Sequence, residues 1–151
     1  MTAAPPPAPG TALASWGARL GAYIIDILPL VIVLVVLTAA FGENEATSTS
    51  FSFQLNGLPA LLYFVLAIGW LVVNWGLLQG RRGGTVGKSV LGIAVHKAGT
   101  GRPLGVGPSI ARQLLHIVDA LPCYLGFLWP LWDKENRTFA DMIMGTRVAK
   151  R

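Results

Sequence analysis

Two short segments of the sequence repeat an arginine and an aspartate at the same spacing. Residues 18–30 read ARLGAYIIDILPL and residues 111–123 read ARQLLHIVDALPC, so both follow the pattern A-R-x4-I-x-D-x-L-P. The shared charged residues are Arg19, Asp26, Arg112 and Asp119. Because seven residues are two helical turns, each arginine and its aspartate lie on one side of a helix, about 10.5 Å apart. Internal repeats with buried charges are characteristic of transporter folds.

Charges at these positions allow three kinds of chemistry. Pairing of Arg19 with Asp119, or of Arg112 with Asp26, would link two helices, because polar groups inside a membrane face the protein interior. The same acids are able to bind protons or cations, and the arginines are able to contact lipid head groups. His116 lies on the face of Asp119, where it either shuttles protons near neutral pH or only hydrogen-bonds that acid. No second ligand cluster accompanies it, so we predict no metal site.

Apolar helices must position these residues. Apolar types make up 53% of the 151 residues and charged types 13%, about half the roughly 25% of soluble domains. Ala22–Phe41 and Leu58–Leu78 are each about 20 residues long, enough to cross the roughly 30 Å hydrocarbon core of a bilayer. The sequence therefore predicts an all-α integral membrane protein with two transmembrane helices.

A third apolar stretch, Ile110–Trp132, is interrupted by Pro122 and Pro130. A complete crossing would put the basic C-terminal tail outside the cell, against the positive-inside rule. A bend at Pro122 would keep the tail in the cytoplasm as part of a re-entrant or interfacial segment. Both topologies remain open, and we favour the bent one.

The basic residues predict the orientation of the chain. The loop Gln79–Pro108 contains five Lys or Arg residues, whereas Gly42–Gly57 contains none. The positive-inside rule therefore places this loop and the N-terminus in the cytoplasm and Gly42–Gly57 on the outer side. The net charge of +5 then indicates a surface beside anionic lipid head groups, and not nucleic-acid binding. A pathway through so small a protein would need several copies, so we expect a homo-oligomer or a membrane-protein partner.

The cytoplasmic loop contains the glycine-rich run GGTVGKS at residues 83–89. It is not a P-loop, because Arg82 stands where the first glycine of G-x4-G-K-[ST] belongs. We predict instead a tight turn at the lipid surface, with the lysine facing phosphates; its residues are Thr85, Gly87, Lys88 and Gly92. The strand-like run Val90–Lys97 and residues 102–106 then predict a small cytoplasmic β-hairpin.

The C-terminal tail has a regular spacing of charges. Asp133, Arg137 and Asp141 recur every four residues, which predicts one face of a short helix. Gly145 is a natural C-terminal cap, and Thr146 begins a strand-like run to Lys150. The tail charges suit docking better than catalysis. Because the chain has no activated nucleophile, catalytic carboxylate pair or phosphate cradle, we predict neither an enzyme nor a cofactor.

The first residues differ in composition from the rest. Residues 1–10 contain four prolines and no charge, so we expect residues 1–14 to form a disordered tail and 15–151 the membrane domain. The start is not expected to be a secretory signal, because its first basic residue is Arg19.

Several of these motifs in combination resemble the RDD family of small bacterial membrane proteins. They are Arg19, Asp26, the T-x-G-K-x3-G-x2-V run from Thr85 to Val95, Arg112 with Asp119, and the R-x3-D-x3-G-T-x-V run from Arg137 to Val148. The resemblance covers about residues 15–150 and omits the proline-rich start. It implies a polytopic cytoplasmic-membrane protein of largely unassigned function. Transport of an unknown ligand is often proposed for this family, and cation/proton exchange is reported for some members.

Overall fold

The fold is mostly helical, with two small antiparallel sheets. A computed structural model describes residues 12–46 and 51–151, and residues 1–11 and 47–50 lie outside the described residues. The elements are α1 (Trp16–Phe41), β1 (Glu43–Ala46), β2 (Phe51–Gln54), α2 (Gly57–Leu71), a π-helical segment (Val72–Leu78), α3 (Gln79–Arg82), α4 (Val86–Val90), β3 (Ile93–Lys97), α5 (Val106–Ala120), α6 (Leu125–Leu128), a 3-10 turn (Trp129–Leu131), α7 (Phe139–Met144) and β4 (Thr146–Lys150).

Two helical runs are long and apolar enough to cross a membrane. The first is α1, and the second is the continuous run Gly57–Arg82, which comprises α2, the π-helical segment and α3. Each has 26 residues, or about 39 Å at 1.5 Å per residue. Both predicted apolar helices are therefore confirmed as helices, and each extends several residues further than its apolar core.

The chain divides into two compact units. One consists of Ile27–Leu71 and contains β1 paired antiparallel with β2, with Glu43 opposite Gln54. The other consists of residues up to Asp26 together with Val72–Arg151, and it contains all the other short elements. Every charged residue of the two arginine–aspartate segments belongs to this second unit.

The sheet of the second unit joins distant parts of the chain. Strand β3 pairs antiparallel with β4, with Val95 opposite Val148. The predicted β-hairpin between Val90–Lys97 and residues 102–106 is therefore wrong in its partner strand. A single hydrogen bond from Lys97 N to Arg102 O closes that turn, whereas β4 supplies the full ladder. The tail strand predicted to begin at Thr146 is confirmed.

The first described residues also pair with β4. Ala14 N donates to Val148 O, and Lys150 N donates to Ala12 O. Ala14 is fully buried in a small apolar core with Ile93 and Val148. Of the predicted tail, residues 12–14 therefore extend the sheet, and residues 1–11 lie outside the described residues.

The third apolar stretch is bent at the predicted place. Helix α5 ends at Ala120, and the axis turns by 106° before the run Leu125–Leu131. Cys123 and Tyr124 both have positive φ at this bend. A break near Pro122 follows from its missing N–H group and its clash with the preceding helical turn.

The tail helix begins later than predicted. Helix α7 starts after Thr138, so Asp133 and Arg137 precede it and do not share a helix face with Asp141. Gly145 ends the helix with φ of 60°, as predicted for a C-terminal cap. Asp133 accepts hydrogen bonds from the backbone and side chain of Arg137 in a turn, which explains the four-residue spacing without a helix.

Candidate functional site

Asp141 is the centre of a buried group of charges. Its Oδ1 accepts from Arg112 Nε at 2.9 Å and Nη2 at 2.6 Å, and its Oδ2 accepts from Arg19 Nη1 at 2.8 Å. The side chain of Asp141 is fully buried, and those of Arg112 and Arg19 are 3% and 12% exposed. We call Arg19, Arg112 and Asp141 the arginine–aspartate cluster.

Local structure holds Asp141 in this position. Thr138 caps α7 by accepting from Asp141 N, while the Asp141 carboxylate accepts from Thr138 N. This reciprocal capping box fixes the first turn of α7. Thr146 Oγ1, at the start of β4, donates to Asp141 Oδ1 at 2.7 Å. The carboxylate is thus oriented from both ends of a six-residue helix.

The electrostatics keep Asp141 ionised. Burial by itself raises the pKa of Asp141, but the charges of Arg112 and Arg19 and the hydrogen bond from Thr146 outweigh burial. The pKa of Asp141 therefore lies well below its usual range. Removing one partner of a buried pair typically destabilises a protein by about 3–5 kcal/mol, because the other charge stays buried.

Neither predicted arginine pair forms. Arg19 was expected to bind Asp119 and Arg112 to bind Asp26, yet both guanidinium groups bind Asp141. Asp141, in the first turn of α7, lies within hydrogen-bond distance of both guanidinium groups, whereas Asp119 and Asp26 accept backbone N–H groups of α7 and α4. The equal spacing in the two segments correctly predicted that the arginines and aspartates lie on helices. It did not identify Asp141 as the partner of the two arginines.

Asp119 holds the start of α7. Its Oδ1 accepts from Phe139 N at 2.7 Å and from Ala140 N at 3.3 Å, and its Oδ2 lies 2.5 Å from His116 Nδ1. Asp119 is fully buried. The predicted hydrogen bond between His116 and Asp119 is confirmed, and every oxygen of this acid has a protein partner. A Cβ at Gly126 would lie 2.4 Å from Asp119 Oδ1, so only glycine leaves room for this arrangement.

Asp26 holds the start of α4 in a similar way. Its Oδ1 accepts from Gly87 N at 2.7 Å and from Asn74 Nδ2 at 2.8 Å. Asn74 in turn accepts from Val86 N through its Oδ1 at 2.8 Å. Asn74 lies in the π-helical segment and is fully buried. A π-helical turn often marks a functional position, and here it directs an amide into the site.

Thr85, Gly87 and Gly92 have the structural roles of a tight turn. Thr85 caps α4 by accepting from Lys88 N, and Gly92 has φ of 63° just before β3. A Cβ at Gly87 would lie 2.0 Å from Ala22 O, so glycine is required for the close approach of α4 to α1. These residues thus form a short capped helix followed by a turn, in which Gly87 serves helix packing and Gly92 supplies the positive φ, and the location of this segment at the lipid surface stays a prediction.

Lys88 is directed into the protein and not toward an outer surface. Its Nζ donates to Gln79 Oε1 at 2.5 Å, and Gln79 Nε2 donates to Ser109 Oγ at 2.9 Å. Burial lowers the pKa of Lys88 to about 7, and the charges of Arg112 and Arg19 lower it too, against Asp26 and Asp141. The expectation that Lys88 faces lipid phosphates is not met, because its ammonium group is bonded to a buried amide.

The sequence analysis missed two residues of the site, Asn74 and Gln79. Both are fully buried polar side chains. Asn74 is the only amide in the predicted apolar run Leu58–Leu78, which was the available signal. A lone amide in an apolar helix is costly unless it is hydrogen-bonded, so its presence indicates a partner nearby.

The chain is similar to a known protein family and to curated mycobacterial proteins. The model of the RDD family matches residues 13–145. The "Proline-rich antigen" of Mycobacterium leprae (strain TN) is 37% identical over an alignment 152 residues long, and this alignment covers 91% of this chain and 61% of that protein. The "Proline-rich antigen homolog" of Mycobacterium tuberculosis (strain ATCC 25618 / H37Rv) is 37% identical over 145 residues, 87% of this chain and 60% of that protein.

The chain spans about three fifths of the length of these curated relatives. No solved structure gives a significant match. The family model covers the whole arginine–aspartate cluster and both aspartates that hold the short helices. The chain belongs to the RDD family.

Proposed function

We propose that the chain is an integral protein of the bacterial cytoplasmic membrane, in which α1 and the run Gly57–Arg82 cross the bilayer. The exposed apolar side chains of α1 support this proposal: Val35 and Val36 are 60% and 59% exposed. Contiguous exposed apolar surface of this size is unfavourable in water and favourable in lipid. Each helix is also long enough for the hydrocarbon core with some tilt.

The pairing of β3 with β4 supports one topology for the third apolar stretch. Paired strands must lie on the same side of a bilayer, so the tail strand and the loop with Lys97 belong together. With the positive-inside rule, both face the cytoplasm with the N-terminus. The 106° bend then makes α5 and the following turn a re-entrant or interfacial segment.

Cysteine labelling tests this topology. In a Cys123→Ser background, a cysteine at Thr100 or at Lys150 is expected to resist a membrane-impermeant maleimide in whole cells and to react after lysis. Both positions are exposed, so lack of reaction cannot be attributed to burial. A cysteine at Ser50, which lies outside the described residues, is expected to react in whole cells. Reaction at Lys150 without lysis would show a complete third crossing.

We further propose that the protein moves ions or protons across this membrane, with the arginine–aspartate cluster as its working part. One observation supports this proposal: two buried guanidinium groups share a single carboxylate, and Arg19 Nε and Nη2 have no hydrogen-bond partner among the described residues. In a purely structural ion pair, balanced charges increase the stability of the folded protein, because an uncompensated buried charge is costly. Surplus charge is expected where a site exchanges ions. Because the protein is small, a homo-oligomer would complete the pathway.

Flux into proteoliposomes tests this function. The wild-type protein is expected to acidify or alkalinise the lumen when a cation or anion gradient is imposed, whereas empty liposomes do not respond. Arg19→Lys keeps the charge but loses the planar fork of donors, so flux is expected to fall while the protein stays monodisperse. Glu135→Gln is the matched control, because Glu135 pairs with Arg137 and Arg147 at the surface, away from the cluster. Equal flux in all three proteins would contradict the assignment.

A second candidate is a non-transporting accessory or scaffold subunit of a membrane complex. It is favoured by Asp26 and Asp119, which accept backbone N–H groups of α4 and α7 and so act as structural supports. Absence of flux together with stoichiometric co-purification of one membrane protein would favour this candidate.

Anionic lipid is the proposed surface partner. Arg81, Arg82, Lys97, Arg102 and Lys150 are all exposed. Each basic residue near an anionic surface contributes about 1 kcal/mol, and the contribution is screened by salt. The purified protein is expected to be stabilised by phosphatidylglycerol more than by phosphatidylcholine, with a difference that shrinks at high salt.

A further inference from the structure

The second unit contains a two-fold repeat that extends beyond the arginine–aspartate segments. The first half consists of the start of α1, α4 and β3, and the second half consists of α5, α7 and β4. Thr, Gly and Val recur as T-x6-G-x2-V in both halves, at Thr85, Gly92 and Val95 and at Thr138, Gly145 and Val148. Val95 and Val148 are also direct partners in the antiparallel sheet, so the two halves are related by an approximate two-fold axis at this pair.

The contacts of the two halves correspond as well. Thr85 and Thr138 both cap a short helix, and a glycine with φ near 60° follows each helix, directly after α7 and one residue further along after α4. Asp26 accepts from Gly87 N, and Asp119 accepts from the equivalent Ala140 N. The repeat is therefore structural and not a chance match of letters.

One position breaks the symmetry. Asp141, the third residue of α7, is matched by Lys88, the third residue of α4. In the second half, the Nε and Nη2 edge of Arg112 is filled by Asp141. In the first half the same edge of Arg19 is buried and unpartnered among the described residues, and the equivalent position offers an ammonium group.

We propose that the free edge of Arg19 and the Lys88 ammonium bind a compact oxyanion, a carboxylate or phosphate group, that takes the place of the missing aspartate. An arginine Nε and Nη2 edge matches two oxygens of such a group, as it does for many carboxylates and phosphates. If the oxyanion is the transported substrate, this inference rests on the proposed transport function. Binding of the oxyanion, however, can be measured without flux.

The charges around Lys88 fit an anion. Arg19 and Asp26 of α1, Arg112 of α5 and Asp141 of α7 all act on its ammonium, and Gln79 of α3 is its hydrogen-bond partner. Because burial lowers the pKa of Lys88 to about 7, the Lys88 amine takes up a proton near neutral pH when an anion binds beside it. Affinity is therefore expected to fall as pH rises above 7.

Binding in detergent provides the test, with sodium acetate and sodium phosphate as probes and sodium chloride at equal ionic strength as reference. The wild-type protein is expected to show a saturable increase in melting temperature with one of the two oxyanions, and weaker binding at pH 9 than at pH 7. Lys88→Asp supplies the missing carboxylate within the chain, so affinity is expected to fall by at least about tenfold, or 1.4 kcal/mol. Lys134→Asp, the same charge change at an exposed lysine outside the proposed lipid surface, should bind as the wild type does.

A second experiment with lipid nanodiscs distinguishes a lipid phosphate from a soluble oxyanion. If phosphatidylglycerol nanodiscs, but neither soluble probe, stabilise the wild type more than Lys88→Asp, the bound group is a lipid phosphate. Absence of any difference between oxyanions and chloride in both arms, or equal binding by Lys88→Asp, overturns the site. Saturable binding without flux overturns the transport function alone and leaves the site intact.

Discussion

Replacing Lys88 by methionine tests the electrostatics of the cluster by a change in stability with pH. Methionine has a similar length and no charge, so the variant removes the cost of burying an ammonium group. In the folded protein the pKa of Lys88 falls from 10.5 to about 7. At 1.36 kcal/mol for each pH unit between these values, the charged lysine costs about 5 kcal/mol of stability below pH 7.

The sign follows from proton binding. Between pH 7 and pH 10.5 the unfolded chain holds the proton and the folded protein releases it, so the wild type gains stability as pH rises. At pH 9 only about 2 kcal/mol of the cost remains. The variant loses the hydrogen bond to Gln79, which costs about 1–3 kcal/mol at every pH. The stability advantage of Lys88→Met should therefore shrink by about 2 kcal/mol from pH 7 to pH 9.

The measurement is the free energy of unfolding by sodium dodecyl sulfate in mixed micelles, followed by tryptophan fluorescence at pH 7, 8 and 9, without oxyanions. Lys97→Met is the control, because it removes an exposed lysine from the end of β3. A difference between Lys88→Met and wild type that is constant over this range would refute the assignment of Lys88 as a buried, titrating group.

Three further changes address helix packing and the two aspartates. Gly87→Ala places a Cβ 2.0 Å from Ala22 O, so the melting temperature should fall by the equivalent of about 1–3 kcal/mol or more. Gly69→Ala is the control and should have little effect, because the space around Gly69 is open. Equal melting temperatures of the two variants would contradict the close packing at Gly87. Asp26→Asn retains the Oδ1 acceptor, so gel filtration should show an intact protein, and aggregation would argue for a required negative charge. Asp119→Ala leaves two N–H groups of α7 without their acceptor, so hydrogen exchange in α7 should accelerate; unchanged exchange would show that the carboxylate does not hold this helix.

The sequence correctly predicted features that depend on nearby residues. The predictions were wrong where a contact depends on a residue far away in the sequence. Pro122 and Gly145 indicated a bend and a helix end, because a missing N–H and a positive φ act locally. The partner of Arg19 is 122 residues away, and nothing in the spacing of its own helix distinguishes Asp119 from Asp141. The spacing of Asp133 and Arg137 suited a helix and a turn equally well, and the capping box at α7 decided for the turn.

The hairpin prediction failed for a related reason. The run Ile93–Lys97 has the composition of a strand whatever its partner, and proximity favoured the residues just after the turn. Strand β4, and not residues 102–106, pairs with β3, because it pairs over five positions and also binds the residues around Ala14. The half-to-half repeat would have indicated this pairing, since the two strands are equivalent parts of it.

The position of β4 after all its partners in the sequence determines the order in which their contacts can form during synthesis. Arg19, Arg112 and β3 leave the ribosome before Asp141 and β4, so the two guanidinium groups lack their carboxylate until Asp141 has been added. Contacts of such large sequence separation form slowly, because the chain between them must first be ordered. Loss of α7 and β4 would leave two adjacent cations without an anion, so a chain that stops before Asp141 is expected to be degraded by proteases faster than a chain that includes these elements.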